Sequence, residues 1–493
     1  MSLLQARIQL LEEILQLHSI DVDASIAILD AQREGVDGDG PLGTLPAYSS
    51  SLAFDQMCAD LEGALYLDEP IDETEVLGSE ARFFGATSGR LELQPLQPAE
   101  VGSSSEKEQT EIMGIDDIVS PELCEHLVSL YFEWEQPWFQ MVDEMLFRES
   151  LHNGGPYSST FLLLCILAVG SRYSDKVDAR TDPDDPRTAG RLFAERAEAL
   201  MRSDIETPSI PTIQALAIIG TYQMASGPFL GWLHHGMANR LMLDTGLNIH
   251  HRAVTGITAL PPHEVRLRRQ IYWALYCNDK LWANYSGRIC TMLDSQATVP
   301  LPSPLSEDMP GQNRSHLITL QRAMITHCQI LERILTRLYG PKRLVSNMER
   351  RGFFDSCILT LKGWHYSLPR ELKAKAAEGT TGVSPHALIL GMVYHTSVCL
   401  LSKPFLPQEY PDKGLLEIDG VPSRASVANL EAAGEICTLA ETYREVFGGF
   451  RRSPLTATHC TLTAALVIMH LSADAPGALS VMGSSSAVLA HSQ

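Results

Sequence analysis

Several things are missing from this chain, and each absence excludes something. No two cysteines form a Cys-x-x-Cys pair in its 493 residues. The ten cysteines (Cys58, Cys124, Cys165, Cys277, Cys290, Cys328, Cys357, Cys399, Cys437 and Cys460) are scattered, mostly among apolar neighbours. That is the usage of small core residues in a reducing compartment, not of a metal cage or disulfide framework. Positive charge is scarce: 38 Lys and Arg stand against 60 Asp and Glu, a formal net charge of -22. A chain this acidic is a poor nucleic-acid binder by itself, because neutralising phosphates needs concentrated cations. Its basic spots (Arg266-Arg268-Arg269, Lys342-Arg343, Arg350-Arg351, Arg451-Arg452) are short and read as solvated helix surface. No signal peptide opens the chain, and no apolar run looks long enough for a bilayer; Phe161 to Val169 is too short. A soluble intracellular protein is expected.

Catalytic patterns are missing too. No G-x-S-x-G, P-loop or H-E-x-x-H occurs, and His263-Glu264 begins the last without a second His. Gly38-Asp39-Gly40-Pro41-Leu42-Gly43 has the letters of a dinucleotide turn, but no strand precedes it and no helix follows. Pro41 also withdraws an amide that would face phosphate. The adjacent pairs His234-His235 and His250-His251 point about 100° apart on a helix, which suits ordinary histidines better than one shared metal. Asp184-Asp185 lies among prolines, as on a solvated turn, and His365 and His395 sit beside aromatics, as packed histidines do. No catalytic or metal site is expected.

What is present is helical periodicity. Apolar residues make up 45% and charged residues 20%, as in an ordinary soluble protein. Residues 3–17 place Leu4, Ile8, Leu11 and Leu15 at the 4-3-4 steps of a coiled-coil seam. A surface helix docked on the body and a short dimerisation coil both satisfy that spacing. From 19 to 118 the pattern weakens, acids prevail after Asp55, and turn-prone Asp37-Gly38-Asp39-Gly40-Pro41 and Gly102-Ser103-Ser104-Ser105 interrupt it. An acidic, mostly disordered linker is expected there. Helical patterning resumes near Pro121. Thr298 to Gly311, with Pro300, Pro302, Pro304 and Pro310, divides the body into halves near 298–314. No strong strand-type alternation appears. The expected layout is 1–18 coiled-coil helix, 19–118 linker, 119–475 all-α regulatory body and 476–493 flexible tail.

The richest segment runs from Arg268 to Arg288. Ile271, Leu275, Asn278 and Trp282 form one helical row, and Arg269, Trp273, Tyr276 and Lys280 form a second. A helix with aromatics on two rows is covered on most sides and sits deep in an all-α body. Arg268, Arg269, Asp279 and Arg288 then need partners, and locking this helix to its neighbours is the expected role. Removing a buried partner, as in Asp279→Ala or Arg269→Ala, is expected to cost roughly 3–5 kcal/mol.

This segment resembles the signature of the fungal-specific transcription factor domain, the regulatory region of fungal zinc-cluster (Zn2Cys6) factors. The matching residues are Arg268-Arg269, Tyr272-Trp273, Tyr276, Asp279-Lys280 and Gly287-Arg288, with Lys280 where the family usually has Arg and Ile289 where it has Pro. Tyr131 to Phe139, Leu162 to Tyr173, Pro211 to Leu247, Tyr394 to Phe405 and Tyr443 to Pro454 resemble its other blocks in order, in the manner of the nitrate-assimilation activators. The resemblance implies a nuclear, non-enzymatic regulator of metabolic genes, for nitrogen use or a secondary-metabolite cluster. It implies homo- or heterodimerisation through Leu4, Ile8, Leu11 and Leu15, with co-regulators or a small-molecule effector as partners and no membrane. The family binds zinc through an N-terminal cysteine cluster. No such segment stands before the coil here, so no cofactor is expected in this chain, and DNA contact is expected only through that missing cluster or a partner. The alternative is a DNA-binding-deficient modulator that dimerises with full-length factors.

Overall fold

The computed structural model describes residues 75–77, 80–82, 118–226, 228–250, 260–302, 312–340, 347–373, 384–406 and 420–474. The chain divides into two compact units, Met1–Tyr66 and Leu67–Gln493, and all of these residues lie in the second. The predicted coil residues Leu4, Ile8, Leu11 and Leu15 lie outside the described residues, as does Gly38 to Gly43. Within the expected linker, β1 (Glu75–Leu77) and β2 (Glu80–Arg82) pair antiparallel, with Val76 opposite Ala81. A hairpin this short has no core of its own.

The rest is helical, as expected. The first half holds α1 (Pro121–Leu130), a π-turn (Tyr131–Glu135), α2 (Gln136–Phe139), α3 (Glu144–Asn153), α4 (Thr160–Tyr173), α5 (Arg191–Glu206), α6 (Ile210–Ser226) and α7 (Pro228–Asp244). Next come α8 (Pro262–Ser286) and α9 (Gln312–Leu338), then α10 (Asn347–Ser367), α11 (Pro385–Ser402), α12 (Val421–Phe447) and α13 (Leu455–Asp474). Local chemistry sets the starts. Ser120 accepts from the Leu123 amide and Ser159 from the Leu162 amide, while Asp143 accepts from both Met145 and Leu146. Pro121, Pro262 and Pro385 each open a helix, where the missing N–H is no loss.

One cluster of buried apolar side chains runs through both halves. α4 is buried along nearly its whole length and packs on α1, α5 and α6; α11 packs on α12, α13, α10 and α9. α8 contacts both sets, touching α2, α7, α9 and α13, and the sets also meet directly, where Trp138 Nε1 donates to Thr456 Oγ1 at 3.1 Å. The sequence reading overlooked one point. Pro385–Phe405 is long and apolar enough, by length and composition, to cross a bilayer, yet 89% of that window is buried inside the body. Its apolar surface is already covered by protein, as in a core helix. None of the nine described cysteines forms a disulfide, and most are buried. Burial pushes the Cys460 thiol up to about 12, so it packs as a small hydrophobe.

Candidate functional site

The two rows of α8 are both interior. Ile271, Leu275, Asn278 and Trp282 are buried, and so are Trp273, Tyr276 and Lys280 opposite them. Lys280 is fully enclosed, an unusual place for an ammonium group. Its surroundings supply the compensation. Nζ donates to Asp279 Oδ2 at 3.0 Å and to the Met292 carbonyl, lies 3.6 Å from Glu332 Oε2, and sits 4.0 Å from the centre of the Tyr276 ring. The cation thus has two carboxylates, a carbonyl and a π-face.

Asp279 and Glu332 extend this cluster to other elements. Asp279 accepts from the Thr291 amide at 2.9 and 3.0 Å, from Thr291 Oγ1 at 2.7 Å and from the Met292 amide at 3.0 Å. Its carboxylate therefore fixes the chain that follows α8. Glu332, on α9, accepts from Tyr276 Oη at 2.8 Å and from the Asp294 amide at 3.1 Å. Burial first, and then Glu332, holds the Tyr276 hydroxyl far above the ordinary phenol range, so it remains a donor. Trp273 Nε1 donates to the Pro300 carbonyl at 3.0 Å, pinning the proline-rich crossing to the same helix.

The signature residues do not all gather here. Tyr276, Asp279 and Lys280 do, with Trp273 edge-on to Tyr276 at 5.3 Å. Gly287 ends α8 in the left-handed region at φ 63°, and the Arg288 amide returns to the Ala283 carbonyl at 3.0 Å. Arg288 then lies 4.6 Å from the centre of the Trp232 ring on α7, so Gly-Arg is a helix stop followed by a cationic clamp. Arg268 and Arg269 sit two to three turns earlier. Arg268 pairs with Glu264 of its own helix at 3.1 Å, so that ion pair joins no second element. Arg269 is half-buried, and no carboxylate among the described residues reaches it. The lock expected of it is absent there, because the helix turns its guanidinium towards a small cavity and not towards an acidic neighbour. Two contributors escaped the sequence reading. Glu332 lies 52 positions from Lys280 on an ordinary amphipathic helix, and Thr291 sits in a loop; neither carries a local signal.

Around this centre the histidines are packed and neutral. His327 donates to or accepts from Ser397 at 2.9 Å, and burial pushes it down to about 3. His235 lies beside Trp282 and is also pushed down to about 3, by burial and by His234. His459 contacts Asn284 at 3.1 Å, His386 contacts the Trp134 carbonyl at 3.0 Å, and His395 lies against Tyr394; burial pushes each to about 4. No group of His, Cys, Asp or Glu among the described residues is arranged to hold a metal. Two cavities of about 10 and 30 Å³ are present. The first lies between α8, α9, α11 and α13, against Asn284, Ser397 and His459. These spaces fit one or a few waters, far short of a metabolite pocket of roughly 300 Å³ or more.

An all-α body built round a charged central helix, with histidines packed as core residues, has the character of a regulatory domain. The family described as the fungal specific transcription factor domain matches residues 128–374, and the chain belongs to that family. It is similar to the nitrogen assimilation transcription factor nit-4 of Neurospora crassa, 27% identical over 435 residues, covering 78% of this chain and 37% of the relative. It is likewise similar to the nitrogen assimilation transcription factor nirA of Emericella nidulans, 28% identical over 405 residues, 76% of this chain and 44% of the relative. The activatory protein CHA4 of Saccharomyces cerevisiae is 22% identical over 456 residues, covering 84% of this chain and 67% of the relative. The chain spans less than half the length of the first two. No solved structure matches. The family and the first two of these relatives are named as transcription factors.

Proposed function

We propose that this chain is a nuclear regulator of nitrogen-assimilation genes, with the helical body as its control element. The observation that carries this reading is the similarity to two relatives named for nitrogen assimilation, which covers 78% and 76% of the chain. In this reading Leu4, Ile8, Leu11 and Leu15 form a dimerisation seam, and DNA is reached through a zinc-cluster segment or a partner that supplies one. The body transmits state changes mechanically: α8 is tied through Asp279 to the loop at Thr291 and through Lys280 to Glu332 on α9, so a shift of one half is felt by the other.

The test is transcript profiling after disruption of the gene in its fungal host, grown on nitrate and on ammonium. The expected result is at least a several-fold change in nitrogen-assimilation transcripts on nitrate. A change confined to a different gene set would overturn the nitrogen assignment, and an unchanged transcriptome would overturn the regulatory one.

A further inference from the structure

The cavity at the start of α8 is unlike the other one, because it is lined by cations. Its walls are Gly246, Leu247, Ile249 and His250 after α7, Leu260 before α8, Val265, Arg268 and Arg269 on α8, and Val299 with Pro300 beyond it. The walls are held by hydrogen bonds. The Thr298 amide donates to the Asn248 carbonyl at 3.0 Å, the His250 amide to Thr298 Oγ1 at 2.8 Å, and Asn248 Nδ2 to the Gln296 carbonyl at 3.2 Å. Trp273 fixes Pro300 from below.

Charge in this cavity is unbalanced. Glu264 neutralises Arg268 and also accepts from Tyr157 Oη at 3.3 Å. Arg269 has no acceptor among the described residues, although burial already penalises its charge. One half-buried guanidinium therefore faces a space of about 30 Å³, room for roughly two to three water-sized groups. A guanidinium is planar and donates in a two-pronged fork that matches a planar oxyanion.

We infer that this cavity binds a small planar oxyanion of single charge, held by the fork of Arg269 between α8 and the hydrogen-bonded loops at 246–250 and 296–300. Among the described residues, Arg268 is paired and Arg269 is not, and a single unpaired guanidinium suits a monoanion better than a dianion. The volume selects a nitrate-, nitrite-, bicarbonate- or formate-sized group over any larger metabolite. Such an ion would tie the first half of the body to the central helix, a place from which it can influence the arrangement of the halves. The assignment rests on the cavity and not on the nitrogen reading. Among the anions, preference for nitrate or nitrite would connect the two.

The experiment uses the purified full chain. Thermal unfolding and calorimetric titration are run with nitrate, nitrite, bicarbonate, formate, sulfate and chloride at matched ionic strength. The expected result is a rise in melting temperature of several degrees with at least one planar monoanion over chloride and sulfate. That rise is lost in Arg269→Gln, weakened at least tenfold in affinity in Arg269→Lys, and retained in Arg337→Gln, a surface control on α9. If Arg269→Gln does not fold, the Arg269→Lys affinity decides. Equal shifts with all six anions, or a planar-anion shift that survives Arg269→Gln, would overturn the site. No shift with any anion would overturn it as well. This titration reads the cavity alone, so its failure leaves the transcript experiment standing, and the converse also holds.

Discussion

At the scale of single residues, Lys280 governs the account. It is fully buried beside Asp279 and Glu332. A buried ion pair is no proof of net stabilisation, since well-packed apolar residues often do as well. Breaking it on one side is different, because the remaining carboxylates are stranded. Lys280→Ala is therefore expected to cost about 3–5 kcal/mol in urea unfolding. Asp279→Ala belongs to the same class, since it also leaves the Thr291 and Met292 amides without an acceptor. Arg269→Ala is expected to cost under about 1 kcal/mol, because no ion pair is lost. Equal losses for Lys280→Ala and Arg269→Ala would contradict this ordering. The sequence showed that α8 carries charges inward, from two aromatic rows and an Asp-Lys step. It did not distinguish the arginine pair from Asp279 and Lys280, because partnership depends on Glu332 and Thr291, which only the tertiary fold brings near.

The histidines supply a second residue-scale prediction. His235, His327, His386, His395 and His459 are pushed down to between about 3 and about 4 by burial. Between those values and the ordinary histidine value of about 6.5, the unfolded chain binds more protons than the folded one. Stability is therefore complete above about pH 6.5 and falls as pH drops towards 4, by about 1.4 kcal/mol per unit for each such group. Glu135, Glu198 and Asp204 oppose the trend, since burial raises their carboxyls, but they are three groups against five. The melting temperature is expected to fall steeply between pH 6.5 and 5, and His327→Gln to flatten the slope. A profile level across that range would contradict the packing described.

At the scale of elements, Gly170 and Gly190 are two of the glycines on which close approach of helices depends. A Cβ on Gly170 would stand 2.2 Å from the Leu127 carbonyl oxygen, so α4 and α1 meet backbone to backbone. Gly190, before α5, would clash equally with the Ala168 carbonyl and has φ 78° besides. Gly170→Ala and Gly190→Ala are each expected to lower stability by about 1–3 kcal/mol, whereas Gly434→Ala, with open space around it, is not. Chemical unfolding of the three variants checks this; a neutral Gly170→Ala would mean the helices are further apart. Helix positions were largely legible, since periodicity, serine and aspartate caps and proline starts are local. α11 was legible as a helix but not as a bilayer-length apolar one, because its histidine and serines break the run while its neighbours cover every face.

At the scale of the whole molecule, the sequence carried fold class and family through ordered blocks, each weak alone. It did not carry which helices adjoin. That α8 touches α2, α7, α9 and α13 at once follows from long-range packing, and the cavity at Arg269 forms only where residues 246–250 meet 296–300. The regulatory reading belongs to this scale, since it rests on a family and on relatives matched over long stretches of the chain.

The most direct measurement is chromatin occupancy of the tagged chain in its host, with and without the segment from Met1 to Leu17. Occupancy at discrete promoters that disappears when the segment is removed is the predicted result. Exclusion from the nucleus, or absence of occupancy by the intact chain, would contradict a role in transcription.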